Sequence, residues 1–218
     1  MTEKLTADFF RRDALTLSRG LLGKILVRRD DGGTVAARIT ETEAYTGVGD
    51  PASHAYGGRR TARTETMYLP GGFAYVYLIY GLYACMNVTA AEDGNPEAVL
   101  IRAAIPVEGF DRLWENLTRA SRRRRVPARP ENGDSAAWAR LLDGPGRLTA
   151  AMGITRADNA RDLTGEDFFL CDDGFVPQKI LCRPRVGIDY AGEAKDWPYR
   201  FTAAGEGSVP LSGPPLGK

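Results

Sequence analysis

A chain of 218 residues with 43% hydrophobic content can bury one compact core, so a single domain is expected over residues 1–203, with a disordered tail at 204–218. Its 29 basic residues nearly balance 28 acidic ones, and net charge therefore neither requires nor excludes a nucleic-acid partner. Cys85, Cys171 and Cys182 are odd in number and widely spaced, which excludes a disulfide framework and a CxxC zinc pattern and points to a reducing compartment.

The chain opens on Met1-Thr2-Glu3-Lys4, which has no apolar signal core, and no later apolar run is long enough to span a bilayer. A cytoplasmic protein without a membrane partner is expected. Apolar spacing from Phe9 to Leu22 predicts a helix over 8–22. Lys24–Arg29 reads as a strand, Asp30-Asp31-Gly32-Gly33 as a hairpin turn and Val35–Tyr45 as the returning strand. Residues 46–72, rich in glycine, proline and polar side chains, form a long loop of the kind that carries function. Phe73–Ile79 and Leu82–Thr89 make a second hairpin with Tyr80-Gly81 at its tip, where a ring would forgo the burial it gains most from. A strand at Ala98–Ala104 and a helix at Gly109–Arg119 follow. Residues 120–135 form an Arg/Pro-rich insertion, expected to be flexible, and Gly144-Pro145-Gly146 precedes a helix at Arg147–Met152. Short strands are expected near 167–171, 179–188 and 198–202, and the tail is rich in glycine, proline and serine.

The candidate chemistry lies in Arg38–Tyr45 and in His54, the only histidine. Period-2 spacing puts Glu41, Glu43 and Tyr45 on one face of a strand and Thr42 and Ala44 on the other. A carboxylate two residues from a large ring suits a flat, polarisable ligand that the ring stacks on while the carboxylate activates water. A polar strand face with a tyrosine rim would look the same. Basic residues cluster at Arg59, Arg60 and Arg63 and from Arg119 to Arg129, and such patches can follow a phosphate backbone. For the second cluster a solvated, mobile insertion is the expected reading.

Several runs, in order along nearly the whole chain, resemble the alkyladenine (3-methyladenine) DNA glycosylase family. They are Phe9-Phe10 with Leu21-Leu22-Gly23-Lys24, Arg38–Tyr45, Asp50-Pro51-Ala52-Ser53-His54, Tyr75–Gly81 and Cys85-Met86-Asn87-Val88. Val99–Ala103, Gly144–Leu148, Arg183–Ile188 and Ala191-Gly192-Glu193 continue the series. The resemblance implies an α+β fold: a single mixed domain with a curved antiparallel β-sheet, a protruding hairpin and surrounding helices. It also implies a monofunctional enzyme that flips a damaged purine from double-stranded DNA and hydrolyses its N-glycosidic bond. No cofactor or metal is expected, and the protein is expected to be a monomer.

By that resemblance Glu43 is the general base and Arg102 the arginine that keeps it ionised. Tyr45, His54 and Tyr77 form the base pocket, Asn87 screens the purine 2-position, and Tyr80 intercalates where the nucleotide was. Met67 lies beside the opposite strand and Arg59 grips phosphate. Two residues are inserted between Asn87 and Arg102, no tryptophan follows Glu193 directly, and Tyr56-Gly57 follow His54 at the pocket rim.

Three rivals remain open. Gly144, Gly146 and Arg147, which are expected to contact DNA phosphate or else to form a tight helix–helix connection, lie in a GxGxxxA stretch that also fits the phosphate-cradling hairpin of helix-hairpin-helix glycosylases, with Asp158 or Asp162 as the catalytic carboxylate. A non-catalytic DNA-bending protein could use Tyr80 as its wedge. A nucleoside hydrolase acting on small molecules would need the Glu43 pocket but no exposed hairpin tyrosine.

Overall fold

A computed structural model describes residues 2–79, 81–120 and 128–204. Tyr80 at the hairpin tip, the run Arg122–Arg125 and the tail from 205 lie outside the described residues.

Among the described residues, nine strands form one antiparallel sheet. They are β1 (Glu3–Lys4), β2 (Ile25–Asp30), β3 (Gly33–Tyr45), β4 (Ala74–Ile79), β5 (Tyr83–Ala90), β6 (Glu97–Glu108), β7 (Phe168–Asp172), β8 (Lys179–Arg183) and β9 (Arg200–Ala204). The sheet order is β1-β7-β2-β3-β6-β5-β4, with β9 paired to β3 and β8 to β9. β3 is the spine. Its first half pairs with β2 across the expected turn, its far edge pairs with β6, and Glu41–Glu43 pair with β9.

One face of the sheet carries the main core. Helices α2 (Ala14–Leu21), α3 (Phe110–Ala120), α4 (Ser135–Leu141) and α5 (Pro145–Met152) bury Leu17, Leu21, Leu113, Leu117, Trp138, Leu148 and Met152 there. The helix expected over 8–22 is two helices, α1 (Ala7–Phe10) and α2. Asp13 breaks it by accepting from the Thr16 N–H as an N-cap, which contributes about 1 kcal/mol to α2. Part of the insertion is ordered in place: Arg129 pairs with Asp111, and the Trp138 indole donates to the Glu131 carbonyl at 3.0 Å. β8 stops at Arg183, short of the expected 188, because Pro184 has no N–H to offer the ladder.

The feature that positions the site is an irregularity between β3 and β6. Ile39 faces Ala104, Glu41 faces Ala103 and Thr42 faces Ile101, which leaves Thr40 and Arg102 out of the pairing. An extra residue flips the side-chain phase of a strand. Accordingly Val35, Ala37 and Ile39 pack in the main core, and beyond the bulge Ala44 does so, while Thr42 donates to the Ser18 carbonyl of α2 at 2.9 Å. Glu41, Glu43 and Tyr45 are thereby turned to the opposite face of the sheet. Arg102 is turned to the same face, and its carbonyl is held by the Gly144 N–H at 3.0 Å.

Candidate functional site

The site is built around Glu43. Its side chain is fully buried, and each oxygen is held by a donor from a different direction. The Val186 N–H donates to Oε1 at 2.8 Å, and the Tyr45 hydroxyl donates to Oε2 at 2.9 Å. Arg102 Nη1 lies 3.4 Å from Oε1. The closer partner of Arg102 is Glu41, reached from Nε at 2.8 Å, and Glu41 is shared with Arg200 at 3.5 Å and the Thr202 hydroxyl at 3.2 Å. Two carboxylates therefore share one guanidinium.

Arg102 favours the ionised form of Glu43, against a larger influence from burial. Burial raises the Glu43 pKa above the usual carboxylate value, and Arg102, the Val186 N–H and the Tyr45 hydroxyl only limit the rise. Glu41 adds to it as a like charge. A carboxylate in that state is a better proton acceptor than one in water.

The aromatic side of the site comes from the loop after β3 and from β4. His54 stands edge-on to Tyr77, with ring centroids 4.7 Å apart, and Tyr77 lies 5.3 Å from Tyr75. Arg63 lies over the Tyr77 ring at 5.1 Å and reaches His54 Nε2 at 3.4 Å. A guanidinium can only donate, so Nε2 accepts, and Nδ1 carries the proton that goes to the Tyr75 hydroxyl at 2.9 Å. Burial, and then Arg63 and Arg59, lower the His54 pKa to about 4. Burial raises Tyr75 to about 12 and Tyr77 higher still. Tyr77 is near enough that the Glu43 charge adds to its own rise, and it adds in turn to that of Tyr45, so the carboxylate and the rings occupy one neighbourhood.

A cleft of about 460 Å³ opens on the outer side of His54, bordered by Tyr56, Arg59, Arg63 and Tyr190. Tyr56 and Tyr190 leave 54% and 70% of their surfaces exposed there. Arg59 is exposed there.

Other expected residues fall elsewhere. Asn87 on β5 is buried and donates to the Tyr75 carbonyl at 3.1 Å, which fixes its side chain behind the rings. Met67 is only 2% exposed and packs with Ala55, Tyr68, Tyr75 and Ala98. It is a floor beneath the aromatic group, and in this conformation it offers no surface to a DNA strand. The glycine turn is used inside the fold. Gly144 backs Arg102, Gly146 comes so close to Tyr83 that an added Cβ would lie 3.2 Å from its Cβ, and Arg147 donates to the Arg140 carbonyl. The helix-hairpin-helix alternative fails on its aspartates. Asp158 is buried between Arg28 and Arg161, and Asp162 accepts from the N–H and hydroxyl of Thr164. Glu41, Arg63, Tyr75 and the Val186 N–H went unassigned in the sequence. Only Glu41, by its period-2 phase, and Arg63, by its cluster, left a signal there.

The His54 environment predicts a pH effect. Its folded-state pKa lies below the ordinary 6.5, so the unfolded chain binds the extra proton first. That part of the stability is complete above the unfolded value and is lost as pH falls from 6.5 toward about 4. The loss should reach roughly 2–4 kcal/mol. Urea unfolding at neutral and acid pH should show a smaller acid loss in His54→Asn than in the wild type; equal losses would count against the neutral, buried imidazole.

No helix among the described residues is long and apolar enough to cross a membrane. Comparison with known proteins gives one consistent result. The profile of the family described as methylpurine-DNA glycosylase (MPG) matches residues 8–207. A protein of Desulfitobacterium hafniense (strain Y51), named "Putative 3-methyladenine DNA glycosylase", is 43% identical over 91% of this chain and 94% of its own length. Proteins of the same name from Clostridium acetobutylicum and Methanocella arvoryzae are 42% and 44% identical, over 94% and 90% of this chain and 97% and 90% of their own lengths.

Proposed function

The chain belongs to the methylpurine-DNA glycosylase family, hydrolases of N-glycosyl bonds in DNA, and from that premise we propose that it excises damaged purines by water attack under the control of Glu43. The observation that carries this reading is the buried Glu43 carboxylate, 3.4 Å from Arg102 and beside the rings of Tyr45, His54 and Tyr77. The damaged nucleotide leaves the stack, and its base enters between the Tyr45 ring and the His54–Tyr77 pair. Purine stacking on such rings is worth about 1–3 kcal/mol per base, and a cationic alkylated purine adds attraction to the ring faces.

Catalysis then follows from charge. The sugar becomes oxocarbenium-like as the base departs. Glu43 opposes that charge and takes the proton of the attacking water, while Arg102 steadies both the carboxylate and the water. Glu43 has no solvent-exposed surface, so water reaches it only as the pocket rearranges around the substrate, which keeps the electrostatics strong. Neutral His54 adds no charge of its own to repel a cationic base. Asn87, pinned by the Tyr75 carbonyl, cannot swing aside, and in this reading it crowds the 2-amino group of undamaged guanine.

The hairpin supplies the wedge. Leu78, Leu82 and Tyr83 beside its tip are 36%, 76% and 45% exposed, an apolar ridge suited to a minor groove, with Tyr80 as the intercalating residue. The protein acts as a monomer on duplex DNA and leaves an abasic site without nicking. A purely DNA-bending role gives no reason to bury a carboxylate beside an arginine. Incubation with duplexes that each hold 3-methyladenine, hypoxanthine or ethenoadenine, followed by hot alkali, should reveal strand breaks at one or more lesions. Breaks without alkali would mean a lyase, and none with alkali would refute the reading.

A further inference from the structure

Two sequence runs that deliver His54 and the Val186 N–H to the site, Asp50–His54 and Arg183–Ile188, also meet in a second buried ion pair. Asp50 and Arg185 both have fully buried side chains. They form a two-pronged pair, Nη2 to Oδ1 at 2.8 Å and Nη1 to Oδ2 closer still. Nη1 also donates to the Ala44 carbonyl at 2.9 Å. Asp50 in turn accepts from the N–H groups of Thr46 at 3.2 Å and Ala52 at 2.9 Å, and its carbonyl accepts from Ser53 at 2.8 Å. Arg185 lies 4.8 Å from the centre of the Tyr45 ring and 5.3 Å from that of Tyr199.

Both donors that orient Glu43 hang from this pair. Val186 follows Arg185 directly, so anchoring Arg185 fixes the Val186 N–H against Oε1. Tyr45 is held from one side by its stack on Arg185 and from the other through the carbonyl of Ala44. The same aspartate ties down the loop that delivers His54. An ion pair with no exposed surface is a poor device for stability alone, because desolvating both charges offsets most of their attraction, and apolar residues of similar volume would serve as well. Arg185 Nε is buried without a hydrogen-bond partner among the described residues, so even this pair is not fully satisfied.

We propose that Asp50 and Arg185 are positioning residues for the Glu43 carboxylate, holding the Val186 N–H and the Tyr45 hydroxyl on it and joining it to the His54 loop. The proposal rests on the glycosylase reading for its effect on rate, but its geometric core does not. The groups facing Glu43 are Arg102 from β6, Arg200 from β9, Glu41 and Tyr45 from its own strand, Tyr77 from β4 and Cys85 from β5, together with the uncharged Val186 N–H. The double variant at 50 and 185 alters none of these and removes one charge of each sign, so a shift in its Glu43 titration reports the lost donors. Both donors favour the ionised form, so losing them moves its titration to higher pH.

The test uses Asp50→Asn and the double variant Asp50→Asn/Arg185→Met, which removes both charges and leaves no orphan ion if the single variant does not fold. The primary readout is the Glu43 titration, followed by carboxyl carbon NMR in the full-length protein. It needs no activity, so it stands even if base release is never seen. The midpoint should rise by about half a pH unit or more in the charge-balanced double variant, whereas the Arg185 cation left unpaired in Asp50→Asn opposes the rise. Single-turnover base release should fall about 10–100-fold, with lesion-duplex affinity changed by less than about threefold, and in the double variant its acid limb should move up with the NMR midpoint. An unmoved midpoint in the folded double variant would overturn the proposal. So would a loss of rate that only tracks the unfolded fraction.

Discussion

Glu43→Gln should lower single-turnover base release by about 10²–10⁴-fold, the range that a positioned general base supplies. Affinity for a lesion-containing duplex should hold within about threefold, because Gln keeps the carboxylate's shape and an oxygen for the Val186 N–H. The same substitution should stabilise the protein, and the sign follows from the pKa. The folded-state value of Glu43 is raised, so its contribution to stability is complete below the unfolded value of 4.5 and is lost as pH rises through the folded value. At neutral pH the ionised form is a cost that a neutral isostere removes. Arg102 is not orphaned, since Glu41 stays 2.8 Å from its Nε. A rise in Tm of about 2–4 °C is expected, the shift that roughly 1 kcal/mol produces in a domain of this size. Equal losses of affinity and rate would make Glu43 a structural residue. A fall in Tm would mean that the surrounding donors outweigh burial.

The second large effect lies in the frame. Arg38, before the bulge, is fully buried and makes a two-pronged pair with Asp173, both bonds 2.8 Å long, while Nη1 also donates to the Gly23 carbonyl. Arg38→Ala leaves Asp173 and the carbonyl without that partner and opens a cavity against Phe175. Removing one member of a buried pair costs about 3–5 kcal/mol, a large share of the stability of an ordinary domain. The Arg38 side chain lowers the Asp173 pKa, so the stability it contributes is present above the unfolded value near 3.8 and fades as pH falls below it. The gap between wild type and variant in urea unfolding should therefore narrow between pH 7 and pH 3. A gap under about 1 kcal/mol at pH 7 would show that the strand does not depend on this pair.

Much of the sheet was legible because its signals are local. The turn Asp30–Gly33 and the two hairpins announced β2–β5 within a residue or two. The face shared by Glu41, Glu43 and Tyr45 was legible from period-2 spacing within their own strand. The break between α1 and α2 was missed, since the apolar rhythm runs through it and only the Asp13 cap stops it. The bulge was not legible at all. It falls at Thr40 and Arg102, where no glycine or proline marks it, and strand register depends on two segments about sixty residues apart. Without it, the expectation that Arg102 belongs to Glu43 could not reveal that Glu41 is the nearer partner. Backbone donors are hidden for a related reason. The Val186 N–H has no side-chain signature, and Pro184, which ends β8 and frees the next residues to reach Glu43, read only as part of a longer strand.

In the proposed mechanism an ionised Glu43 accepts a proton from water as the base leaves. The most direct test is the pH dependence of single-turnover release of a cationic alkylated purine, whose own charge stays fixed across the range. In the wild type the rate should fall about tenfold per pH unit below a midpoint higher than 4.5, and the residual rate of Glu43→Gln should lack that limb. The same limb in both proteins would place the titrating group elsewhere and contradict the role given to Glu43.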